Sequence, residues 1–292
     1  MHPTKGTSII YKGRPAKVAF CLLNFVEIVF QDGTTQRTSY HSINLPMQLT
    51  VIDTGSQGNA YLLKDSKGDM LLLDCGVKFE EIKQAINFNY NKVKGCLLTH
   101  EHGDHAKSVL NVTRSAIKTF CLEETAKACE IEKSIFYTSV EAGKMYAVPD
   151  SSFKFIPVNM FHDVPCLGYL VSHPDMGTLL FATDTSKLPY KFKGVKTYLI
   201  EANYCEDILR EKSETGQGNM YVNERVKNSH LSIQQAIKCL EQSENECVEQ
   251  VILIHLSDRN SDEVRFNSLV RQAIGKPTIC ASKNMQLQLN VF

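Results

Sequence analysis

Residues 99–105, with the sequence Thr-His-Glu-His-Gly-Asp-His, place three imidazoles and a carboxylate in one short stretch of chain. The apolar run Val93–Leu98 precedes this stretch and a helical pattern starts at Ala106, which predicts a strand-to-helix turn. Imidazole and carboxylate are ligands that zinc, manganese and iron accept, and four of them on one turn are more than a single catalytic tetrahedral site uses, because such a site keeps one position open. The turn therefore predicts two neighbouring metals. The alternative, a loop of surface histidines, does not account for so dense a cluster.

Other residues of ligand type follow later apolar segments that read as strands. Three of them stand directly after such a segment: His162, Asp184 and His255. Functional sites of layered α/β proteins gather at the carboxyl ends of strands. These three residues are therefore expected to join the cluster at the turn and complete the coordination of two metals.

The pattern along the chain changes near residue 47 and predicts two units within the 292 residues. Residues 1–46 are rich in β-formers and contain an Asp32-Gly33 turn, which predicts a small β-barrel or meander module. From residue 47 to 292, strands alternate with helices, so the second unit is expected to be an α/β hydrolase domain. Its later helices are expected to begin near Ser232 and Ser261.

Charge and cysteine usage limit the function classes. The formal net charge is zero, so no global field draws the chain to nucleic acid or to an anionic membrane. The ten cysteines form no Cys-x-x-Cys pair and fall in apolar runs, which predicts buried free thiols in a reducing compartment. Neither a signal-like leader nor an apolar run long enough to span a membrane is evident, so a cytoplasmic location without membrane partners is expected.

The pattern His100-x-His102-x-Asp104-His105, followed by the three strand-end residues, resembles the ordered motifs of the metallo-β-lactamase superfamily. The resemblance covers residues 47–292 and implies a four-layer αβ/βα sandwich with two metals at one edge, between two sheets. It implies the following metal ligands: His100, His102 and His162 for the first ion, Asp104, His105 and His255 for the second, and Asp184 bridging both. Relatives with β-lactamase activity usually have Cys at the bridging position, so the carboxylate favours other hydrolase branches.

Further segments narrow the resemblance to one branch. Residues 228–232 and 254–260 resemble the paired late motifs of RNase Z-like phosphodiesterases. Residues 54–59 and 201–204 are most similar to the YycJ-type branch, whose members are linked to DNA exonuclease activity. The interval between Asp184 and His255 is too short for the inserted domain of β-CASP nucleases, and no long Gly/Pro-rich arm for gripping tRNA is present. Classical tRNA processing is therefore not expected.

The catalytic roles follow from two-metal phosphodiester chemistry. Two cations sharing a water lower its pKa and hold the resulting hydroxide in line with a phosphorus atom. Asp104 and Asp184 are expected to orient that water, while His230 protonates the leaving oxygen and Glu201 orients His230. Capping of the following helix is the structural alternative for His230. Gly103 is expected to permit a sharp bend of the turn.

Substrate phosphate also needs hydrogen-bond donors. Ser257, Arg259 and Asn260 closely follow a metal ligand, and Asn59 closes a tight polar loop, so these four residues are predicted to bind substrate. Asn223 and Arg225 would join them if the helix before His230 covers the site, although a surface helix accounts for them equally well.

The sequence thus predicts a dinuclear phosphodiesterase that uses two divalent metal ions, with zinc expected and manganese as the alternative. A nuclease acting on DNA or RNA is the first interpretation. A cyclic-nucleotide phosphodiesterase of the anti-Pycsar type, a thioesterase-like metallohydrolase and a scaffold that only binds remain as alternatives. The basic side chains of the N-terminal module could contact a polynucleotide: Lys12, Arg14, Lys17 and Arg37. The module could equally be a lid, or a dimerisation element that would make the protein a homodimer.

Overall fold

The computed structural model describes residues 5–12, 14–21, 25–39, 43, 46–216 and 220–289. Within these ranges, the side chains of Ile10 and of residues 220–223 are not described. The predicted contribution of Asn223 to the site therefore lies outside the described side chains.

The first strands form a separate antiparallel sheet in which each strand pairs with the next, as in a meander. The strands are β1 Ser8–Tyr11, β2 Arg14–Cys21, β3 Phe25–Phe30 and β4 Thr35–Ser39. Alternate residues of β3 are buried, and Val26 and Ile28 pack with Ile9 and Val18 in a small core of their own. At the predicted turn, Gly33 adopts a positive φ of 78°, which glycine allows at little cost. The boundary at residue 46 stays a prediction.

Two seven-stranded sheets form the rest of the protein. The first contains, in spatial order, β10 Tyr137–Ser139, β9 Thr119–Cys121, β8 Val93–Leu97, β7 Met70–Leu73, β6 Ala60–Lys64, β5 Gln48–Asp53 and β18 Gln286–Gln288. The second contains β11 Tyr146–Ala147, β12 Lys154–Met160, β13 Cys166–His173, β14 Gly177–Ala182, β15 Val195–Glu201, β16 Gln250–Ile254 and β17 Thr278–Cys280.

Helices connect many of the strands of the two sheets. They are α1 Phe79–Ala85, α2 Gly103–Ala106, α3 Val109–Arg114, α4 Glu123–Ala128, α5 Glu206–Glu214, α6 Met220–Ser229, α7 Ile233–Gln242 and α8 Glu263–Ile274, with a 3-10 turn at Tyr90–Lys92. Helix α7 begins with a capping box between Ser232 and Gln235, and Asp262 caps α8, close to the predicted starts.

The three cores of this part define four layers. One core lies between the sheets and joins residues such as Leu73 and Leu97 to Phe181 and Ile252. A second packs α1, α3 and α4 on the first sheet, and a third packs α7 and α8 on the second sheet. Because both faces of each sheet are covered, the central strands are apolar throughout, as in the fully buried β7. The predicted αβ/βα sandwich is confirmed.

The direction of the strands determines where the site lies. Strands β14, β15 and β16 are parallel, and β12 runs the same way because two antiparallel pairings separate it from β14. By the same argument β5, β7 and β8 share one direction in the first sheet. Residues that follow these strands therefore lie at the carboxyl edges of the two sheets, where ligand sites of α/β proteins occur.

A cluster of buried polar residues lies away from that edge and joins turns of the two sheets. His173 Nε2 is 3.3 Å from Asp65 Oδ2, and Asp175 Oδ2 accepts a hydrogen bond from the Ser66 amide. The Asp175 amide donates to Nδ1 of His173 at 3.1 Å. Nδ1 of His173 thus accepts from the backbone, while Nε2 faces the carboxylate of Asp65. The cluster fastens the β6–β7 turn to the β13–β14 turn.

The cysteines are all free, as expected, and most of them are buried. Cys247 is exposed, so the expectation that every thiol is buried was wrong for this residue, which lies in a surface loop after α7. Among the described residues, no helix has both the length and the apolar composition that crossing a membrane requires.

Candidate metal centre

The first group of candidate ligands brings three imidazoles together from two strand ends. His100 and His102 follow β8, and His162 follows β12. His162 donates from Nδ1 to the carbonyl oxygen of Ser229 at 2.9 Å, which leaves Nε2 unprotonated in the neutral ring and 3.2 Å from His102 Nδ1. His100 Nε2 is buried and has no hydrogen-bond partner among the described residues. Burial lowers the pKa of His100 well below its usual value, so this ring is neutral and able to coordinate a cation.

The second group combines two imidazoles with two carboxylates. Asp104, His105, Asp184 and His255 place their ligand atoms close to one another. His105 Nε2 lies 3.2 Å from Asp184 Oδ1 and 3.5 Å from Asp104 Oδ2. His255 Nε2 lies 3.6 Å from Asp104 Oδ2 and has no hydrogen-bond partner in the described part of the chain. An unpartnered buried ring nitrogen is costly, and a cation at this point would satisfy it.

Asp184 lies between the two groups and presents one oxygen to each. Oδ2 is 3.9 Å from His100 Nε2 and 3.8 Å from His162 Nε2, both in the first group. Oδ1 is 3.2 Å from His105 Nε2 and 2.9 Å from His255 Nδ1, both in the second group. The carboxylate therefore lies within reach of both groups of candidate ligands.

In the second group, burial and the neighbouring charges shift the pKa values in opposite directions. Burial alone would lower the pKa of His105 and of His255, but Asp184 and the neighbouring carboxylates outweigh it and raise both well above the usual value. Burial would raise the pKa of Asp104, yet hydrogen bonds to His105 and His255 lower it. Imidazolium charges thus balance the buried carboxylates, and a divalent cation can replace those protons. The donor set fits divalent metals that accept nitrogen and oxygen ligands.

A buried carboxylate that the sequence analysis did not single out supports His105. Asp74 follows β7, and its Oδ2 lies 2.7 Å from His105 Nδ1. The same carboxylate accepts from the amide of Thr99 at 2.8 Å and from its hydroxyl at 3.0 Å, which fixes the start of the histidine-rich turn. A carboxylate behind an imidazole orients the ring and increases its basicity as a ligand. Its position directly after the apolar run Met70–Leu73 was the available sequence signal.

Glu201 and His230 meet beside the second group. His230 Nδ1 is 2.7 Å from Glu201 Oε1, and the same oxygen is 2.9 Å from His255 Nδ1. Oε2 accepts from the amides of Thr185 and Leu231 at 3.2 and 3.1 Å, so both oxygens of this buried carboxylate are engaged. Burial would lower the pKa of His230, but the charge of Glu201 raises it. His230 is thus held beside the candidate ligands by a buried carboxylate, just before the capped start of α7.

A cavity of about 310 Å³ opens onto both groups. Its lining residues are Ser56, His102, Asp104, His162, Asp163, Asp184, Asn203, Arg225, Val226, Ser229, His230, His255 and Ser257. Asp163 was not predicted; its Oδ1 lies 3.0 Å from His162 Nε2. A larger cavity of about 670 Å³ borders α5 and the other side of α6, and none of the candidate ligands lines it. The smaller cavity is therefore the one through which a bound molecule could reach the candidate metal ligands.

Ser257 lines the cavity, but the other three predicted substrate-binding residues do not. Asn59 is fully buried, and its amide closes the polar loop through Gly55 while Nδ2 lies 3.2 Å from His105 Nε2. Lys212 binds the side-chain oxygen of Asn260 at 3.1 Å and also the carbonyl oxygen of Arg259. Direct substrate contact of Asn59, Arg259 and Asn260 stays a prediction. Asn59 is buried beside His105, and the Asn260 side chain binds Lys212 of α5.

The backbone at the strand ends explains how the ligands converge. Asp74, Asp184 and His255 have positive φ angles of 57°, 48° and 53°, a conformation that side chains with a Cβ adopt at a cost and that clusters at functional sites. A Cβ at Gly76 would lie 1.7 Å from the carbonyl oxygen of Asp104, so only glycine fits there. Gly103, which was expected to permit a bend, has open space around it and begins α2. Gly76, which lies after β7, is the glycine whose lack of a side chain lets the histidine-rich turn pack against it.

Comparison with known proteins agrees with this architecture. The family model described as the beta-lactamase superfamily domain matches residues 70–256. An exodeoxyribonuclease WalJ of Streptococcus pneumoniae is 26% identical over 245 residues, which cover 76% of this chain and 87% of that protein. An exodeoxyribonuclease YycJ of Bacillus anthracis is 29% identical over 177 residues, covering 56% of this chain and 66% of that protein. The resemblance to the YycJ-type branch is confirmed.

A shorter match and two solved structures complete the comparison. The anti-Pycsar protein Apyc1 of Bacillus phage 010DV004 is 37% identical over 65 residues, covering 20% of this chain and 25% of that protein. The metallo-beta-lactamase fold protein YhfI of Bacillus subtilis superposes with a TM-score of 0.65 at 13% identity, covering 83% of this chain and 99% of YhfI. The short form of human tRNase Z superposes with a TM-score of 0.55 at 15% identity, covering 84% and 100%. At these identities the two structures establish the shared fold.

Proposed function

Since the chain belongs to the beta-lactamase superfamily, we propose that it is a phosphodiesterase that uses divalent metal ions to hydrolyse nucleic acid. The observation that carries this proposal is the arrangement of two ligand groups around one carboxylate, Asp184, with the Glu201–His230 pair beside them. The exonuclease names of the bacterial relatives support nucleic acid as the substrate class, with DNA tested first.

Each group of ligands can hold one cation. His100, His102 and His162 would hold the first, and Asp104, His105 and His255 the second, with Asp184 shared between them. When bound, two such cations supply the positive charge that acidifies an attacking water and offsets the charge of the phosphate. Zinc and manganese both suit this donor set, and zinc is the metal we propose.

The chain's own residues supply orientation and a proton. Asp104 and Asp184 accept hydrogen bonds at the centre of the site and orient the attacking water. His230 lines the cavity, and because Glu201 binds its Nδ1, the Nε2 atom is left to donate a proton to the leaving oxygen. Glu201 also binds His255, so this one carboxylate positions both the proton donor and a metal ligand.

A cyclic-nucleotide phosphodiesterase is the second candidate. The short match to the anti-Pycsar protein of a phage favours it, and a cavity of about 310 Å³ is large enough for a small nucleotide. The chemistry would be the same, since a cyclic nucleotide also contains a phosphodiester. The two candidates differ in substrate length, and length is what the experiment must vary.

The test measures hydrolysis of single-stranded DNA, RNA, cyclic mononucleotides and bis-p-nitrophenyl phosphate by protein loaded with zinc or manganese. Asp184→Asn is the inactive reference, and Asp258→Asn is the matched control, because Asp258 is an exposed aspartate outside the cavity. Degradation of polymers that D184N loses and D258N retains would support a nuclease. Turnover of cyclic nucleotides with intact polymers would support the second candidate. Full activity of D184N would contradict both.

A further inference from the structure

The mouth of the cavity has a different character from its floor. Asp184, Asn203 and His255 at the floor are buried, whereas Ser56, Asp163 and Arg225 at the mouth are exposed. Arg225 is the one Lys or Arg residue that lines this cavity among the residues described. A permanent positive charge therefore lies where a substrate would enter or leave.

Helix α6 holds Arg225 at that position. Its last residue, Ser229, accepts a hydrogen bond from the metal-ligand candidate His162 at 2.9 Å, and the amide of His230 donates to the carbonyl of Val226 at 2.9 Å. Arg225, Val226 and Ser229 line the cavity together, which agrees with helical spacing on one face. The end of the helix is thus attached directly to the site, and Arg225 lies one turn from that attachment.

No hydrogen bond or ion pair engages the side chain of Arg225 within the part of the chain that the structure describes. It forms no ion pair with any residue that the structure describes, although other arginines are paired, as Arg210 and Arg265 are with Asp207. Its neighbours Glu224 and Lys227 line the separate cavity on the other side of α6. A guanidinium that lines a cavity and has no carboxylate partner among the described residues is available to an anionic ligand.

We infer that Arg225 binds a phosphate of the substrate other than the one being hydrolysed, an inference that rests on the proposed function. The scissile phosphate must reach the buried ligands at the floor, where the cations offset its charge. Arg225 is exposed at the mouth, so it meets a phosphate of the chain that leads out of the cavity. Guanidinium groups bind phosphate with two parallel hydrogen bonds. The residue thereby selects diesters that carry a second phosphate, such as a nucleic-acid strand, over cyclic mononucleotides.

The experiment compares metal-loaded wild type, Arg225→Gln and Arg225→Lys on a single-stranded DNA oligonucleotide and on bis-p-nitrophenyl phosphate. Lys227→Gln is the matched control, because it removes one positive charge from the same helix on the side away from the cavity. For R225Q we expect KM for the oligonucleotide to rise about ten-fold or more, with kcat nearly unchanged. The kcat and KM of R225Q on the small diester should stay within about two-fold of the wild-type values. The KM of R225K for the oligonucleotide should lie between those of wild type and R225Q, because lysine keeps the charge but cannot form two parallel hydrogen bonds with one phosphate.

Salt dependence gives a second measurement. Loss of one phosphate contact to a single strand should reduce the slope of log KM against log salt concentration by about 0.7 in R225Q and leave it unchanged in K227Q. Equal defects of R225Q on both substrates, or no defect on the oligonucleotide, would overturn the inference while leaving the proposed function intact. If wild type hydrolyses neither substrate, the proposed function fails and the inference fails with it.

Discussion

Glu201 and His230 are joined by a contact of 2.7 Å between Oε1 and Nδ1, at the point where β15 ends and α6 returns to the sheet. Burial would raise the pKa of Glu201, but the charge of His230 and hydrogen bonds to both neighbouring imidazoles lower it. The carboxylate is therefore ionised, and His230 is positioned with its Nε2 directed away from that contact. Because Glu201 engages Nδ1 of His230, the role proposed for this histidine is proton donation from Nε2 rather than metal coordination.

Replacing His230 with alanine should lower kcat by about a hundred-fold to ten-thousand-fold, because a positioned general acid contributes on that scale. Metal content, measured by elemental analysis, should remain that of wild type, since His230 is not among the proposed ligands. The defect should be much smaller for a substrate with a p-nitrophenolate leaving group, which needs no proton. An equal defect on both kinds of substrate would show that His230 does not act as the acid.

Replacing Glu201 with glutamine should change the pH profile as well as the rate. In the folded protein burial tends to lower the pKa of His230 and Glu201 raises it, so removal of the carboxylate charge moves that pKa down. A general acid works in its protonated form, so activity is lost as pH rises through its pKa. The basic limb of log kcat against pH should therefore move to lower pH in E201Q, at saturating metal. A basic limb at the wild-type position would contradict the assignment.

The sequence predicted that the candidate ligands at the strand ends would converge, because the same rule applies to each of them. Parallel strands end at one edge of a sheet, so a histidine or aspartate directly after an apolar run is brought to the site irrespective of its distance in sequence. Asp184 and His255 are examples, and their positive φ angles of 48° and 53° show how sharply the chain turns after each strand.

The same rule does not reach side chains further into the loops. Arg259 and Asn260 follow His255 closely in sequence, but the segment turns toward Lys212 of α5, which no local pattern indicates. The close approach of the Asp104 backbone to Gly76 is equally a tertiary contact. Asp74 was within reach of the strand-end rule, yet its function as a support for His105 depends on a contact between two separate turns.

Replacing Asp74 with asparagine should weaken the second metal specifically. Asparagine tolerates the left-handed backbone of this position, where φ is 57°, so the fold should persist while the charge behind His105 is lost. Loss of such a supporting carboxylate typically reduces metal affinity about ten-fold to a hundred-fold. Titration with a competing chelator should show one weakened ion and one that is unchanged.

Asp65→Asn is the matched control for this variant, because Asp65 is also buried and lies 3.3 Å from an imidazole, that of His173, away from the site. D65N should lower the free energy of unfolding by about 1–3 kcal/mol and leave both metal affinities at their wild-type values. If D65N weakened metal binding as much as D74N, the effect of D74N would be a general loss of stability.

Binding of the second ion should depend on pH, whereas binding of the first should depend on it much less. Although burial opposes it, Asp184 and the adjacent carboxylates raise the pKa of His105 and His255, so both rings are protonated in the metal-free protein at neutral pH. Their Nε2 atoms must lose a proton to coordinate, so lowering the pH favours the metal-free form. In the first group, burial lowers the pKa of His100 and of His162, and those rings are already neutral.

The affinity for the second ion should therefore fall about ten-fold per pH unit for each proton displaced, between about pH 8 and about pH 6. Calorimetric titration in two buffers of different ionisation enthalpy measures the protons released with each ion. His255→Ala removes one titrating ring and should reduce the protons released with the second ion, while the first ion binds as in wild type. Equal proton release for the two ions would contradict the assignment of protonated imidazoles to the second group. Among the shifts resolved for the two groups, only those of His105 and His255 in the second group raise the pKa, and the neighbouring carboxylates cause them.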